Sequence, residues 1–234
     1  GRMITFENVS LQLGGKEILR NVSFHIEPEE MAVLTGISGS GKTTLLRLIA
    51  GILKPDSGNV RVQSTKIGFV FQDHRLLPWK TAVENITLVL KAKGLSPEEA
   101  RRKALSWLDM VGLARYAGYY PAQLSGGMVQ RVSIARAFAV EPDVVLMDEP
   151  FSSLDDRMTD SLLLMIQKVL AEYKATVLYV THDVMEALRL ADRLLNLENH
   201  ELTETPVVNR QELLQTYCNA RLEAITPNPP GEAL

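Results

Sequence analysis

Residues Gly36-Ile37-Ser38-Gly39-Ser40-Gly41-Lys42-Thr43 match the pattern G-x-x-x-x-G-K-[ST], and what flanks them narrows the fold at once. A short apolar run, Met31 to Thr35, precedes the octapeptide, and a helical pattern from Thr43 to Leu53 follows it, ended by Lys54-Pro55-Asp56-Ser57-Gly58. This order of strand, glycine-rich loop and helix is the context in which such a loop cradles phosphate. Glycines let the backbone curl around an anion, and the first amides of the helix have no internal partner. Lys42 can reach β- and γ-phosphates, and the Thr43 hydroxyl can ligate Mg2+. The candidate phosphate-binding residues are therefore Gly36, Ile37, Ser38, Gly39, Ser40, Gly41, Lys42, Thr43 and the adjoining Thr44.

A phosphate loop that uses Mg2+ needs a second carboxylate at the end of a neighbouring parallel strand. Val144-Val145-Leu146-Met147-Asp148-Glu149 supplies one. Four apolar residues read as a strand buried on both faces, which delivers Asp148 to the metal and Glu149 beside it toward the γ-phosphate. Two acids at one strand end repel each other, so a nearby cation is expected.

The rest of the chain fits an α/β class. Ile4 to Ile26 holds two alternating stretches on either side of Gly14-Gly15, predicting an antiparallel pair, and Pro28 to Glu30 is a second turn. Asn59 to Gln63 and Lys66 to Gln72 read as strands. Positions 75–138 read as a helical insertion, within which Ser96-Pro97-Glu98-Glu99 has the form of a capping box. Strand and helix then alternate: Asp143 to Met147, Thr159 to Tyr173, Ala175 to Val180, Val184 to Ala191, Arg193 to Leu197. The tail, with Pro227, Pro229, Pro230 and Gly231, is expected to be flexible.

Composition excludes several classes. Of 234 residues 46% are hydrophobic, ample for a core, and 25 basic against 28 acidic residues leave a net charge of −3, so no global cationic field holds nucleic acid. The longest apolar runs, such as Leu162 to Ile166, fall far short of the about 20 residues that span a bilayer. Cys218, the only cysteine, cannot form an internal disulfide; it falls in an expected C-terminal helix as inert packing, and a reducing compartment is the expectation. His25, His74 and His200 lack metal-ligand spacing and read as surface or turn residues.

Leu124-Ser125-Gly126-Gly127-Met128-Val129-Gln130-Arg131 adds a second glycine-bearing helix start. Together with the two sites above it resembles the ATP-binding cassette (ABC) family, whose signature begins LSGG and is not carried by P-loop kinases or GTPases. In family order, Gln72 matches the Q-loop, Ser153-Leu154-Asp155 the D-loop, and Thr181-His182-Asp183 the switch histidine. Chemically, Ser125 and the bare backbone of Gly126 and Gly127 can donate to phosphate at a helix N-terminus. Gln72 to Trp79, with its Arg75-Leu76-Leu77-Pro78-Trp79 run, and the LSGGM form look like importers of the nitrate/sulfonate/taurine group. Two positions depart from the family pattern: Met128 stands where Gln is commoner, and Leu13 where an aromatic usually stacks on adenine.

The resemblance implies a P-loop ATPase of ABC type: a mixed-sheet core with an antiparallel β subdomain at 3–74 and 139–218, an inserted helical subdomain at 75–138 bearing the signature, and a flexible tail at 219–234. It implies ATP and Mg2+ as cofactors, with Thr43, Asp148 and Gln72 at the metal. Glu149 is the expected general base, His182 holds γ-phosphate and water, and Lys42 neutralises charge. Two copies are expected to pair head to tail, so that Ser125, Gly126, Gly127 and Asp155 of one contact the ATP held by the other. Gln72 would report the γ-phosphate to the segment 74–85, where Leu77 and Trp79 are candidates to touch a membrane partner. The partners implied are a separate integral-membrane permease and, indirectly, an extracytoplasmic solute-binding protein, at the cytoplasmic face of a bacterial inner membrane. Nitrate, an alkanesulfonate, taurine or a heterocyclic vitamin precursor are all open as solute. The rival reading is a soluble cassette ATPase acting on cytosolic macromolecules.

Overall fold

The computed structural model describes residues 1–207, 211, 212 and 215. Strands β1 (Ile4–Leu13), β2 (Lys16–Ile26) and β4 (Ser57–Val62) form an antiparallel sheet in the order β2-β1-β4. Strands β3 (Met31–Thr35), β5 (Ile67–Val70), β6 (Val144–Asp148), β7 (Thr176–Val180), β8 (Arg193–Glu198) and β9 (Glu201–Pro206) form a second sheet, β5-β6-β7-β3-β8-β9, parallel except for its last pair. The helices are α1 (Lys42–Ile49), α2 (Ala82–Ala92), α3 (Pro97–Met110), α4 (Gly126–Ala139), α5 (Asp156–Glu172) and α6 (Val184–Leu190). Every strand read from the sequence forms, with β4 joining the antiparallel pair and β9 added at the edge of the second sheet.

The central strands β3, β6 and β7 are apolar at successive positions because both of their faces are covered. On one face Ala32, Leu34, Val144, Leu146, Leu178 and Val180 meet Leu45 and Leu46 of α1 and the inner side of the antiparallel sheet. On the other face Val33, Val145, Met147, Val177 and Tyr179 meet α4, α5 and α6. That second cluster runs on without a break into Ile86 and Leu90 of α2 and Ala100, Ala104 and Leu108 of α3. Residues 75–138 therefore pack onto the sheet through α4 and have no separate core.

Local chemistry accounts for the element ends. At α3, Ser96 Oγ accepts from the Glu99 amide and the Glu99 carboxylate accepts from the Ser96 amide at 3.1 Å, the capping box that the sequence announces; Thr81 and Glu84 repeat the device at α2. Helix α1 stops at Ile49, short of the expected Leu53. Gly51 takes the left-handed conformation at φ 71°, and the amides of Gly51 and Ile52 turn back to Leu48 and Arg47 at 3.1 and 2.9 Å, a Schellman closure. Helix α5 begins at Asp156 rather than Thr159, because Asp155 caps it by accepting from the Met158 amide at 2.9 Å. Strand β9 is unanticipated: its sequence ELTETP lacks the apolar alternation of a strand. It forms because Asn199 and His200, at φ 49° and 70°, make a two-residue hairpin turn from β8. The Cys218 helix and the 219–234 tail lie outside the described residues.

Candidate nucleotide-binding site

Four neighbouring parallel strands bring the motifs together. In the sheet register Leu34 pairs with Val180, Val180 with Asp148, and Met147 with Val70. The residues that follow each strand end, Gly36 to Thr43 after β3, Gln72 after β5, Glu149 after β6 and His182 after β7, therefore emerge side by side at one edge. This is where open parallel sheets bind ligands.

There a cleft of about 340 Å3 is lined by Ser38, Gly39, Gly41, Lys42, Thr43, Thr44, Gln72, Asp148, Glu149 and Ile18. A side chain at position 36 has no room: its Cβ would lie 2.6 Å from the Leu197 carbonyl oxygen and 2.7 Å from Ser40 Oγ. Lys42 is buried and folded into the loop, its Nζ donating to the carbonyls of Gly36 and Ile37 at 2.7 and 2.8 Å, with Glu149 Oε1 3.9 Å away. Burial lowers its pKa, and the charges of Glu149 and Asp148 oppose that shift. Ser40 Oγ is the one buried side-chain polar atom with no partner among the described residues.

The acids sit as the strand dictates. Asp148 Oδ2 accepts from Thr43 Oγ1 at 3.1 Å, and burial raises the Asp148 pKa against the lowering effect of that hydrogen bond. Glu149 has φ 44°, a left-handed conformation that costs a non-glycine residue roughly 1–3 kcal/mol, and its amide donates to Val180 O at 2.9 Å. The turn aims its carboxylate off the strand line, toward Lys42 and toward His182, whose Nδ1 lies 3.2 Å from Glu149 Oε2.

The arrangement fits a triphosphate with Mg2+. Among the described residues Ser40 Oγ is an unpaired group inside the loop, Lys42 is a buried cation whose Nζ donates to two carbonyls, and burial raises the pKa of the Asp148 carboxyl although Thr43, Lys42 and Arg47 oppose it. Thr43 Oγ1 and Asp148 Oδ2, 3.1 Å apart, are a pair of hard oxygens of the kind Mg2+ prefers, and Gln72 lines the same cleft. No group of three His, Cys, Asp or Glu side chains among the described residues is placed to hold a metal. Of the other histidines, Nδ1 of His74 accepts from the Leu76 amide at 3.0 Å and His200 occupies the β8–β9 turn. Leu13 does not line the cleft; Ile18, across the hairpin, does.

The signature residues are not brought to this cleft. Ser125 caps α4 by accepting from the Met128 amide at 3.2 Å, Ser125 and Gly126 are exposed, and neither they nor Gly127 nor Asp155 line it. They gather instead at a second place on the surface, where Gly126 and Gly127 lie against Leu154 and Met158.

Several supporting residues escaped the sequence reading. Buried Glu186 accepts from Tyr179 Oη at 2.7 Å and from Thr181 Oγ1, the residue before His182, at 3.0 Å. Burial raises the pKa values of both Glu186 and Tyr179. Gln130, also buried, bonds main-chain carbonyls beside two of the motifs. The usable signal was a polar side chain among the apolar positions of a helix, where an unpaired polar group is costly.

Comparison with known proteins agrees with this geometry. Residues 19–152 match the family model described as ABC transporter. The chain is 43% identical over 197 residues to the nitrate import ATP-binding protein NrtD of Synechocystis, covering 80% of this chain and 73% of that one. It is 41% identical over 216 residues to the cell division ATP-binding protein FtsE of Escherichia coli, covering 86% and 97%. It is 41% identical over 202 residues to the sulfate/thiosulfate import protein CysA of Gloeobacter violaceus, covering 82% of this chain but only 59% of that protein. Among solved structures, the dimeric bacterial ABC transporter cassette MJ0796 superposes with TM-score 0.77 at 36% identity, over 88% of this chain and all of that one. A post-hydrolysis form of MJ0796 bound to ADP and phosphate matches equally well, at 35% identity. With its phosphate loop, paired strand-end acids and signature helix in these places, the chain belongs to the ABC transporter family and is one of its ATPases, with ATP and Mg2+ as cofactors.

Proposed function

We propose that this chain energises uptake of a small solute through a separate transmembrane permease, working at the cytoplasmic face of the membrane as a pair of copies. The observation that carries the reading is the 43% identity to a nitrate importer's ATP-binding protein, together with the RLLPW run that resembles that group. Trp79 in that run is 68% exposed, an apolar surface suited to a protein partner, and no helix among the described residues is long and apolar enough to cross a membrane itself. Nitrate, sulfonates, taurine and related small solutes remain the candidate cargo.

In this reading Lys42 exchanges its loop carbonyls for phosphate oxygens and offsets charge in the transition state. Thr43 and Asp148, with Gln72, hold Mg2+, which when bound neutralises phosphate charge. Glu149 takes the proton from the attacking water, and His182 holds Glu149 and the γ-phosphate in register. Ser125, Gly126, Gly127 and Asp155, remote from the chain's own cleft, serve the ATP of a second copy.

The 41% identity to FtsE favours a second reading, ATPase work in cell division. The partner decides between them. The tagged chain is expressed in its host, membranes are gently solubilised, and co-purifying proteins are identified with and without ATP. Recovery of a multi-spanning permease is the expected result. Recovery of division proteins would establish the alternative, and recovery of soluble partners alone would overturn both.

A further inference from the structure

Helix α4 is enclosed on nearly every side by apolar neighbours, and Gln130 within it is only 4% exposed. Its Nε2 donates to Pro150 O at 2.7 Å and to Phe71 O at 3.3 Å. Pro150 directly follows Glu149, and Phe71 directly precedes Gln72. A single amide nitrogen inside the signature helix thus touches the backbone next to both residues. Three and six positions further on, on the same face of α4, Ser133 Oγ donates to His74 O at 3.4 Å and Arg136 donates to His74 O and Arg75 O at 2.7 and 2.8 Å. All the acceptors are main-chain carbonyls. Segment 71–75, which has no regular secondary structure, is thus tied to α4 through its main chain.

We propose that Gln130 is a positioning residue for hydrolysis: from within the signature helix it sets where Gln72 and Glu149 stand relative to each other. The proposal rests on the reading that these two residues serve the same ATP. Both amide protons of Gln130 Nε2 are in use, and only an amide or a cation at that reach can donate to two carbonyls at once. A side chain of similar volume without donors leaves the packing and frees the two segments. Misplacement of a reacting group by about 1 Å costs up to roughly 100-fold in rate, so the effect falls on kcat while binding through the phosphate loop persists.

The test compares Gln130→Met with Val132→Ala, a neighbouring substitution that thins the same helix's packing and leaves the donors in place. Hydrogen exchange over 71–75 and 149–152 is followed in nucleotide-free protein, and kcat per titrated nucleotide site and KM for ATP are then measured. For Gln130→Met, exchange is expected to quicken in both segments, kcat per site to fall about 10- to 100-fold, and KM to stay within about threefold. Val132→Ala is expected to lower Tm with neither change. A Gln130→Met rate per site within twofold of wild type, or a fall no larger than that of Val132→Ala, overturns the proposal. Should Gln130→Met fail to fold, Gln130→Asn, which keeps the amide but withdraws it by one methylene, is judged by the same criteria. A wild-type chain that hydrolyses no ATP would overturn the catalytic reading instead, and the wild-type rate reports that separately.

Discussion

Asp148 illustrates how much a site can ask of one side chain. Burial holds its carboxyl above the ordinary range, and the negative charge of Glu149 pushes the same way, while the hydroxyl of Thr43 opposes them. A carboxyl whose pKa is raised by folding contributes stability that is complete below its unfolded pKa, about 3.9, and is lost as pH rises through the folded value. At neutral pH the ionised Asp148 is thus a cost to the ligand-free protein. Asp148→Asn is expected to raise Tm at pH 7–8, with the gain shrinking toward zero as pH falls to about 4, and to lower Mg2+-dependent hydrolysis by about 100-fold. Thermal melts across that range, paired with rate measurements, check both halves; an unchanged melt at every pH would show that the carboxylate is not strained. Asp148 and Glu149 were legible because strand, acids and phosphate loop are each contiguous in sequence. Glu186 and Gln130 were not, because their partners, Tyr179, Thr181, Phe71 and Pro150, are defined only once the chain has folded.

Helix α3 shows two different sources of stability within one element. The Ser96 box closes the end of α3 at the surface, while Leu108, with no exposed area, lies in the cluster that runs from α3 through α4 to the sheet. Ser96→Ala is expected to cost about 1 kcal/mol and Leu108→Ala about 3 kcal/mol, read from urea denaturation. Equal losses would show that α3 is held by its cap rather than by its buried face. Caps with local side-chain partners can be read along the chain, as at Ser96. Strand β9 could not, since its pairing depends on a turn and on β8 offering an open edge.

A single chain keeps one set of motif residues apart from its own cleft. Ser125, Gly126 and Asp155 face solvent, away from the cleft that holds Lys42, and the related MJ0796 cassette was solved as a dimer. An isologous pair would place each set over the other copy's cleft. Glu149→Gln, which keeps the shape of the proposed base but cannot take a proton, is expected to run as a dimer in light scattering when ATP is present. It should hydrolyse at least about 100-fold more slowly than wild type. A monomer under those conditions would refute the pairing, and an unchanged turnover would refute Glu149 as base.

What could be read along the chain is what local physics settles. The phosphate loop needs its own glycines, its lysine and the helix start that follows, and buried parallel strands need apolar runs, so Gly36 to Thr43, β3, β6 and β7 announce themselves. The acids at the end of β6 follow from the same logic. Folding alone decided the rest. The register of four parallel strands sets Gln72 and Glu149 beside Lys42 and His182 against Glu149, although they are far apart in sequence. Packing of α4 onto the sheet turned Gln130 from one more letter of the signature into a link between two motifs. Those relations are long-range contacts and hydrogen bonds to main-chain carbonyls, which leave no mark on side-chain identity at the accepting end, and for that reason the residue sequence does not display them.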